Sequence, residues 1–276
     1  MPAFLSTEQL CQYNNDGYLL VENIFDTSDI LRIRNIFQKA FNEKYWKKAP
    51  YSSRFIINNI YTLFPEITGI LVSSRFINII KSLVGTEAVW IPECSVRRNR
   101  YVCWHKDSSV QELSGEYSHH DIDAPLIQAA IYFQDNSNGG GITLVKGSHK
   151  TADHFAPMLT NSLTSRAYYK LKKTIKASAF DTAERSELKI DIPTKPGDLL
   201  LFDIRIDHRS TYPTNTRAAT EKFSVFNTFG KNNIVTKKYF DFMKKRPEPY
   251  YRYFREYPLP DSVYERGAEL GIDVWY

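Results

Sequence analysis

Along the first third of the chain the apolar positions recur at helical spacing. Ile30, Ile33, Ile36, Phe37 and Phe41 fall on one face, and Asp26 precedes them as an N-cap, so the pattern predicts an amphipathic helix from 27 to about 43. Ser6-Thr7-Glu8-Gln9 has the form of a capping box, with Ser6 as N-cap and Gln9 at the third helical position, opening a helix that runs to about Asn15. "GYLLVEN" then reads as a strand. "SSRFINIIKSLVG" returns to the helical pattern, with Ser74 as its cap and Gly85 as a left-handed C-terminal residue.

From residue 88 onward the period changes. "AVWIPECSV", "RYVCWHKD", "LIQAAIYFQD", "GITLVKG", "ELKIDI", "DLLLFDIRIDH" and "EKFSVFNTFG" are short, rich in β-branched and aromatic residues, and separated by turn signals such as Asn138-Gly139-Gly140-Gly141 and Pro196-Gly197-Asp198. Such a succession predicts a sandwich or barrel with the early helices packed outside it. Residues 150–185 read as a polar insertion. The tail from about 236 is basic and Tyr-rich, with helical segments broken by Pro247, Pro249, Pro258 and Pro260, and is expected to act as a lid or an oligomer contact.

Composition narrows the picture without changing it. A chain of 276 residues can form one large core. The net charge of +5 is scattered along the chain, which favours an anionic small substrate over nucleic acid. Cys11, Cys94 and Cys103 form neither a disulfide framework nor a CxxC pair, and the start "MPAFLSTEQL" has no basic-then-apolar leader. No stretch approaches the roughly 20 apolar residues that span a bilayer. A cytoplasmic protein is expected.

The candidate chemistry lies in "CWHKDSSV". In an extended segment, side chains two apart share a face, so His105 and Asp107 can reach one point. A salt-bridged surface pair would look the same in sequence. A two-His, one-carboxylate set is the site type of non-haem Fe(II) oxygenases, and "PGDLLLFDIRIDHRS" offers a third ligand, His208, at the end of an apolar strand.

The order of "LSTEQLCQYNNDGYLLVENIF", "WHKD", "QAAIYFQDNSNGGGITLVKGSHK" and "PGDLLLFDIRIDHRS" resembles the phytanoyl-CoA dioxygenase family of Fe(II)- and 2-oxoglutarate-dependent oxygenases, over roughly residues 5 to 230. The resemblance implies a double-stranded β-helix, a jelly-roll or cupin-like barrel, mainly β with flanking α-helices. It implies one domain, with helical elements over 1–87, the barrel over 88–230 and a tail or lid over 231–276. His105, Asp107 and His208 match the iron ligands, with 2-oxoglutarate and O2 as the other reactants. Lys146 stands where a proline is usual. Because Asp107 keeps the carboxylate ligand, hydroxylation is implied rather than halogenation, with desaturation, ring closure and epoxidation open.

The cosubstrate anchor departs from the family pattern, which places an arginine on the strand after the third ligand. Lys222, with Ser224 on its face, is preferred here over Arg217 in "TYPTNTRAATE". Gln128 is a buried polar residue beside the metal strand that needs a partner, either the cosubstrate or backbone. Asn99, Tyr101 and Cys103 would share the face of His105 in a regular strand, with Cys103 packed in the core; Arg97, Arg98 and Arg100 read as a solvated basic face. His119, His120, Asp121 and Asp123 read as a loop flanking the site, and His149 and His154 as structural. The expected reaction is hydroxylation of a small metabolite or natural product with release of succinate and CO2. A catalytically silent ligand-binding barrel and a nucleic-acid-acting oxygenase are the alternatives. No membrane partner is expected, and a homo-oligomer is open.

Overall fold

The elements form where the apolar periods place them, and a few capping side chains set their ends. In the computed structural model, residues 4–114, 125–155, 178–214, 221–246, 251–252 and 256–276 are described. Helix α1 (Thr7–Asp16) opens on the capping box: the Ser6 side chain accepts from the Gln9 N–H while the Gln9 side chain accepts from the Ser6 N–H. It ends at Gly17, whose φ of +80° a side chain would strain. Helix α2 (Thr27–Asn42) is capped by Asp26, which accepts from the N–H groups of Ser28 and Asp29. Helix α3 (Ser74–Val84) is capped by Ser73 rather than Ser74, because Ser73 keeps the extended backbone a cap needs and its hydroxyl accepts from the Phe76 N–H. Gly85 has a positive φ of 91° but an extended ψ of 178°, so it ends the helix outside the left-handed helical region.

Among the described residues, ten strands follow or flank these helices: β1 (Tyr18–Val21), β2 (Ile56–Asn58), β3 (Ala88–Arg98), β4 (Ile127–Tyr132), β5 (Ile142–Val145), β6 (Lys189–Ile192), β7 (Leu199–Asp203), β8 (His208–Ser210), β9 (Phe223–Lys231) and β10 (Asp273–Val274). The larger sheet runs β1-β7-β4-β9-β3-β10 with β2 also on β3; the smaller runs β6-β5-β8. All pairings are antiparallel except that of β10 with β3.

Side-chain alternation explains how the layers stack. Along β7, Leu200 and Phe202 pack with Ile142 and Leu144 of the smaller sheet, while Leu199 and Leu201 join the cluster formed with α2 and α3. The central strands are therefore apolar on both faces, which is why "LLLF" shows no period of two. Between the sheets lies the barrel interior; behind the larger sheet, Phe37 meets Phe133 at 5.2 Å and Phe76 meets Phe229 at 5.3 Å between ring centroids. Each such ring contributes roughly 1.5–3 kcal/mol by leaving water. This is the double-stranded β-helix with flanking helices expected from the sequence.

Two strands differ from expectation. "RYVCWHKD" is not a strand: β3 ends at Arg98, and His105 makes a single isolated bridge with His208. The run "DLLLFDIRIDH" breaks after Asp203, whose carboxylate accepts the Arg205 N–H at 2.9 Å and pairs with the Arg205 guanidinium at 2.6 Å. That buried local pair turns the chain, so β7 stays in the larger sheet and β8 begins in the smaller one at His208.

The Lys146 N–H donates to the carbonyl of Leu188, a bond that the usual proline could not make. Beyond the barrel come helices α5 (Ile234–Lys245) and α6 (Asp261–Glu269); a short helix α4 (Ser109–Ser114) follows the HxD segment. Among the described residues no single helix is long and apolar enough to cross a membrane.

Candidate active site

His105 and Asp107 lie just after β3, and His208 opens β8. The bridge between the two segments is reciprocal: the His105 N–H donates to the His208 carbonyl at 3.0 Å, and the His208 N–H to the His105 carbonyl at 2.9 Å. It brings the imidazole rings to 4.1 Å between centroids. His105 Nε2 is 3.4 Å from Asp107 Oδ1, and His208 Nε2 is 3.7 Å from Asp107 Oδ2. One ligand atom from each of the three residues lies within 4.8 Å of the others.

The backs of both rings are fixed in the same way. His105 Nδ1 is 2.7 Å from the Cys103 carbonyl and His208 Nδ1 is 3.0 Å from the Ile206 carbonyl. A carbonyl only accepts, so each Nδ1 carries the proton and each Nε2 turns a lone pair toward the shared point. Burial, reinforced by the neighbouring His105, lowers His208 to about 4, which keeps it neutral. Burial alone would raise the Asp107 carboxyl, but His208, His105 and Arg97 together hold it well below the usual carboxylate range. Burial likewise opposes the charge on His105, yet the Asp107 carboxylate and the Cys103 carbonyl raise its pKa overall. Two imidazole nitrogens and one ionised carboxylate on a common point form a donor set suited to a divalent first-row metal.

A small cavity of about 40 Å³ adjoins this point, bounded by His105, Asp107, His208, Ser210, Lys222 and Ser224. Lys222 reaches into it. Its backbone is held by a reciprocal pair with Asn99: the Lys222 N–H donates to Asn99 Oδ1, and the Asn99 N–H donates to the Lys222 carbonyl. Its ammonium donates to the Ser210 hydroxyl at 3.3 Å and lies 4.9 Å from the Tyr101 ring centroid and 5.6 Å from that of Tyr132. Burial, with Arg97 nearby, lowers Lys222 to about 7. A buried cation among hydroxyls and rings is a ready partner for a carboxylate.

The larger cavity, about 390 Å³, opens on the other side of His105 and Asp107, with Glu93, Tyr239, Met243 and Arg246 among its walls. Glu93 lies in a bulge where β3 and β9 lose register between Pro92 and Val96 and Cys94 takes a φ of +49°. Its carboxylate accepts from Arg97 at 2.6 Å and from the Gln128 amide, whose own oxygen accepts from the Thr228 hydroxyl at 2.7 Å. The partners of Gln128 are thus side chains, and its carbonyl and amide both serve this network.

Several sequence expectations change here. Arg97 does not sit on a solvated face but turns inward to Glu93, and Arg98 pairs with Glu221. Cys103 is exposed rather than packed in the core, and Arg100 and Val102, not Asn99 and Cys103, line the cavities with His105. The cause is the missing strand: without regular pairing between Arg98 and His105, the alternation loses its phase. His149 is buried against Gly17, and His154 lies 3.3 Å from Asp207. Arg217, His119, His120, Asp121 and Asp123 lie outside the described residues. Sequence reasoning missed Glu93, Tyr239, Met243 and Arg246. For Glu93 a signal was available, since Pro92 inside an apolar strand marks a bulge; for the three from α5 and its end, nothing local distinguishes cavity wall from surface.

The chain is 23% identical to the ectoine dioxygenase of Sphingopyxis alaskensis over 290 residues, covering 96% of this chain and 88% of that protein. The crystal structure of EctD from S. alaskensis with 2-oxoglutarate and 5-hydroxyectoine superposes with a TM-score of 0.57 at 18% identity, covering 99% of this chain and 89% of that one. HygX from Streptomyces hygroscopicus with nickel and 2-oxoglutarate bound gives a TM-score of 0.56 at 16% identity, covering 83% and 87%. The family model for phytanoyl-CoA dioxygenase (PhyH) matches residues 13–218, and the chain is a member of that family and an oxygenase of its type.

Proposed function

We propose that this protein is an Fe(II)- and 2-oxoglutarate-dependent oxygenase that hydroxylates an unactivated C–H bond of a small metabolite bearing an anionic group, releasing succinate and CO2. The observation that carries the reading is the meeting of His105, Asp107 and His208 beside a buried lysine. Iron with 2-oxoglutarate and O2 would supply the oxidising power that no side chain possesses.

The rest of the chemistry falls to the chain. His105, Asp107 and His208 would hold the ion through atoms whose protonation is already set by the Cys103 and Ile206 carbonyls. Lys222, with the Ser210 and Ser224 hydroxyls, would orient the distal carboxylate of the cosubstrate as an arginine does elsewhere. Phe155, Tyr239 and Met243 line the larger cavity with apolar surface that keeps water from the reacting bond. The Arg97–Glu93–Gln128–Thr228 network gives its floor a fixed set of polar atoms. Arg100 and Arg246 among the lining residues support an anionic group on the substrate. The free thiols of Cys11, Cys94 and Cys103 support a reducing, cytoplasmic setting.

The test is succinate production and oxygen uptake by metal-free protein reloaded with Fe(II) and supplied with 2-oxoglutarate and a panel of carboxylated, phosphorylated and neutral metabolites. Turnover stimulated by an anionic member is expected. Absence of succinate under all conditions would sink the oxygenase reading; stimulation by neutral members alone would sink the substrate class.

A further inference from the structure

The residues between and beside the ligands are themselves paired. Lys106 separates His105 from Asp107, and Asp207 precedes His208. Their side chains lie behind the ligand cluster, with only 1% and 4% of their surfaces accessible, and Lys106 Nζ is 3.5 Å from Asp207 Oδ1. The ammonium also donates to the carbonyls of Ser148 at 2.7 Å and Thr151 at 3.0 Å. The Ser148 hydroxyl accepts the Asp207 N–H at 2.8 Å and donates to the Val145 carbonyl at 2.7 Å, while the Asp207 carbonyl accepts from the Val145 N–H at 3.0 Å.

The turn after β5 is therefore a common block to which both ligand-bearing segments are fastened, one through Lys106 and the other through Asp207. Stability gives no reason for such a pair. Taking two charges out of water costs as much as their attraction returns, and an apolar pair of equal volume is commonly as stable or more so. A buried lysine bonded to two carbonyls, beside an aspartate whose backbone is bonded to Ser148 and Val145, does fix distance and orientation, and metal ligands depend on that: partners one step behind a ligand commonly govern affinity by about 10- to 100-fold.

We propose that Lys106 and Asp207 are positioning residues for the metal, setting the spacing of His105 and Asp107 relative to His208 from behind. The inference rests on the metal-centre reading above. The test compares the parent with the double variant Lys106→Met/Asp207→Leu, which removes both charges of the pair together, and with Asp207→Asn, which keeps the lysine anchored to Ser148 and Thr151. Binding of Mn(II) to metal-free protein is followed through the electron paramagnetic resonance of the free ion, and stability through thermal melting.

For the double variant the expected result is a melting temperature at or above the parent's together with Mn(II) binding at least about tenfold weaker; Asp207→Asn should also bind Mn(II) more weakly than the parent. Opposite movement of stability and affinity is what a merely structural pair would not produce. A folded double variant that binds Mn(II) as tightly as the parent overturns the proposal. One that fails to fold overturns it too, by assigning the pair to stability. A parent that binds no Mn(II) overturns the metal-centre reading itself, and is distinguishable from either.

Discussion

The ammonium of Lys222 donates to the Ser210 hydroxyl at 3.3 Å, two residues beyond the ligand His208, and among the described residues it meets no carboxylate. A charge so placed is costly in the empty protein and useful once an anion arrives. Its pKa of about 7, against an ordinary 10.5, makes that cost sensitive to pH.

Affinity for 2-oxoglutarate should therefore fall as pH rises above 7. Below that value the lysine is already charged; above it, binding the carboxylate must first take up a proton, which weakens affinity by up to about tenfold per pH unit. Lys222→Arg should flatten the profile between pH 7 and 9, because a guanidinium stays charged there. Calorimetric titration of 2-oxoglutarate into Mn(II)-loaded protein at several pH values measures both. A flat profile in the parent would argue that Lys222 is not the anchor.

Stability carries the same group with its own sign. Between pH 7 and 10.5 the unfolded chain binds a proton at this lysine that the folded chain does not, so the penalty is largest below pH 7 and fades as pH rises through that window. Lys222→Met should raise the melting temperature of the ligand-free protein by about 3 °C or more at pH 6.5, with a smaller gain at pH 10, while removing 2-oxoglutarate binding. Differential scanning fluorimetry at the two pH values checks the sign.

His208→Ala should abolish Mn(II) binding and iron-dependent turnover. It should leave the metal-free protein folded, since the bridge of residue 208 to His105 is made by backbone groups that alanine keeps. His105→Ala and Asp107→Ala should do the same to turnover. Retention of full activity by any one of them, measured as succinate formed, would remove that residue from the ligand set.

Gly17→Ala tests the joint between α1 and the block behind the ligands. An added Cβ would stand 2.3 Å from His149 Nδ1 on a backbone of φ +80°, so both the His149 ring and the helix end would have to move. A loss of about 2 kcal/mol or more is expected in urea denaturation. A change below about 0.5 kcal/mol would show that the His149 turn is not pinned there.

What could be read in advance followed from how local each cause is. The Ser6 and Asp26 caps and the apolar stripe of α2 are fixed by neighbours within four residues, so composition and spacing reveal them. The candidate ligand set was legible because two histidines and an aspartate stand in a fixed order of motifs, although His208 was expected at the end of a strand and instead begins one. That turn depends on Asp203 meeting Arg205, a pairing that looks like ordinary surface charge in sequence. Arg97 looked solvated for the same reason: its partner Glu93 faces it only because β3 bulges. Lys106 and Asp207 are about a hundred positions apart, and no periodicity links them.

The match to the family ends at residue 218, yet Tyr239, Met243, Arg246 and Tyr251 form part of the larger cavity's wall. The parts that would bind oxidant and cosubstrate are thus written mostly in one stretch of polypeptide, and part of what would select the molecule to be oxidised in another. Exchanging only the final forty or so positions with those of a relative should transplant selectivity onto an unchanged reaction, a division of labour that would let new substrates be acquired without rebuilding the chemistry.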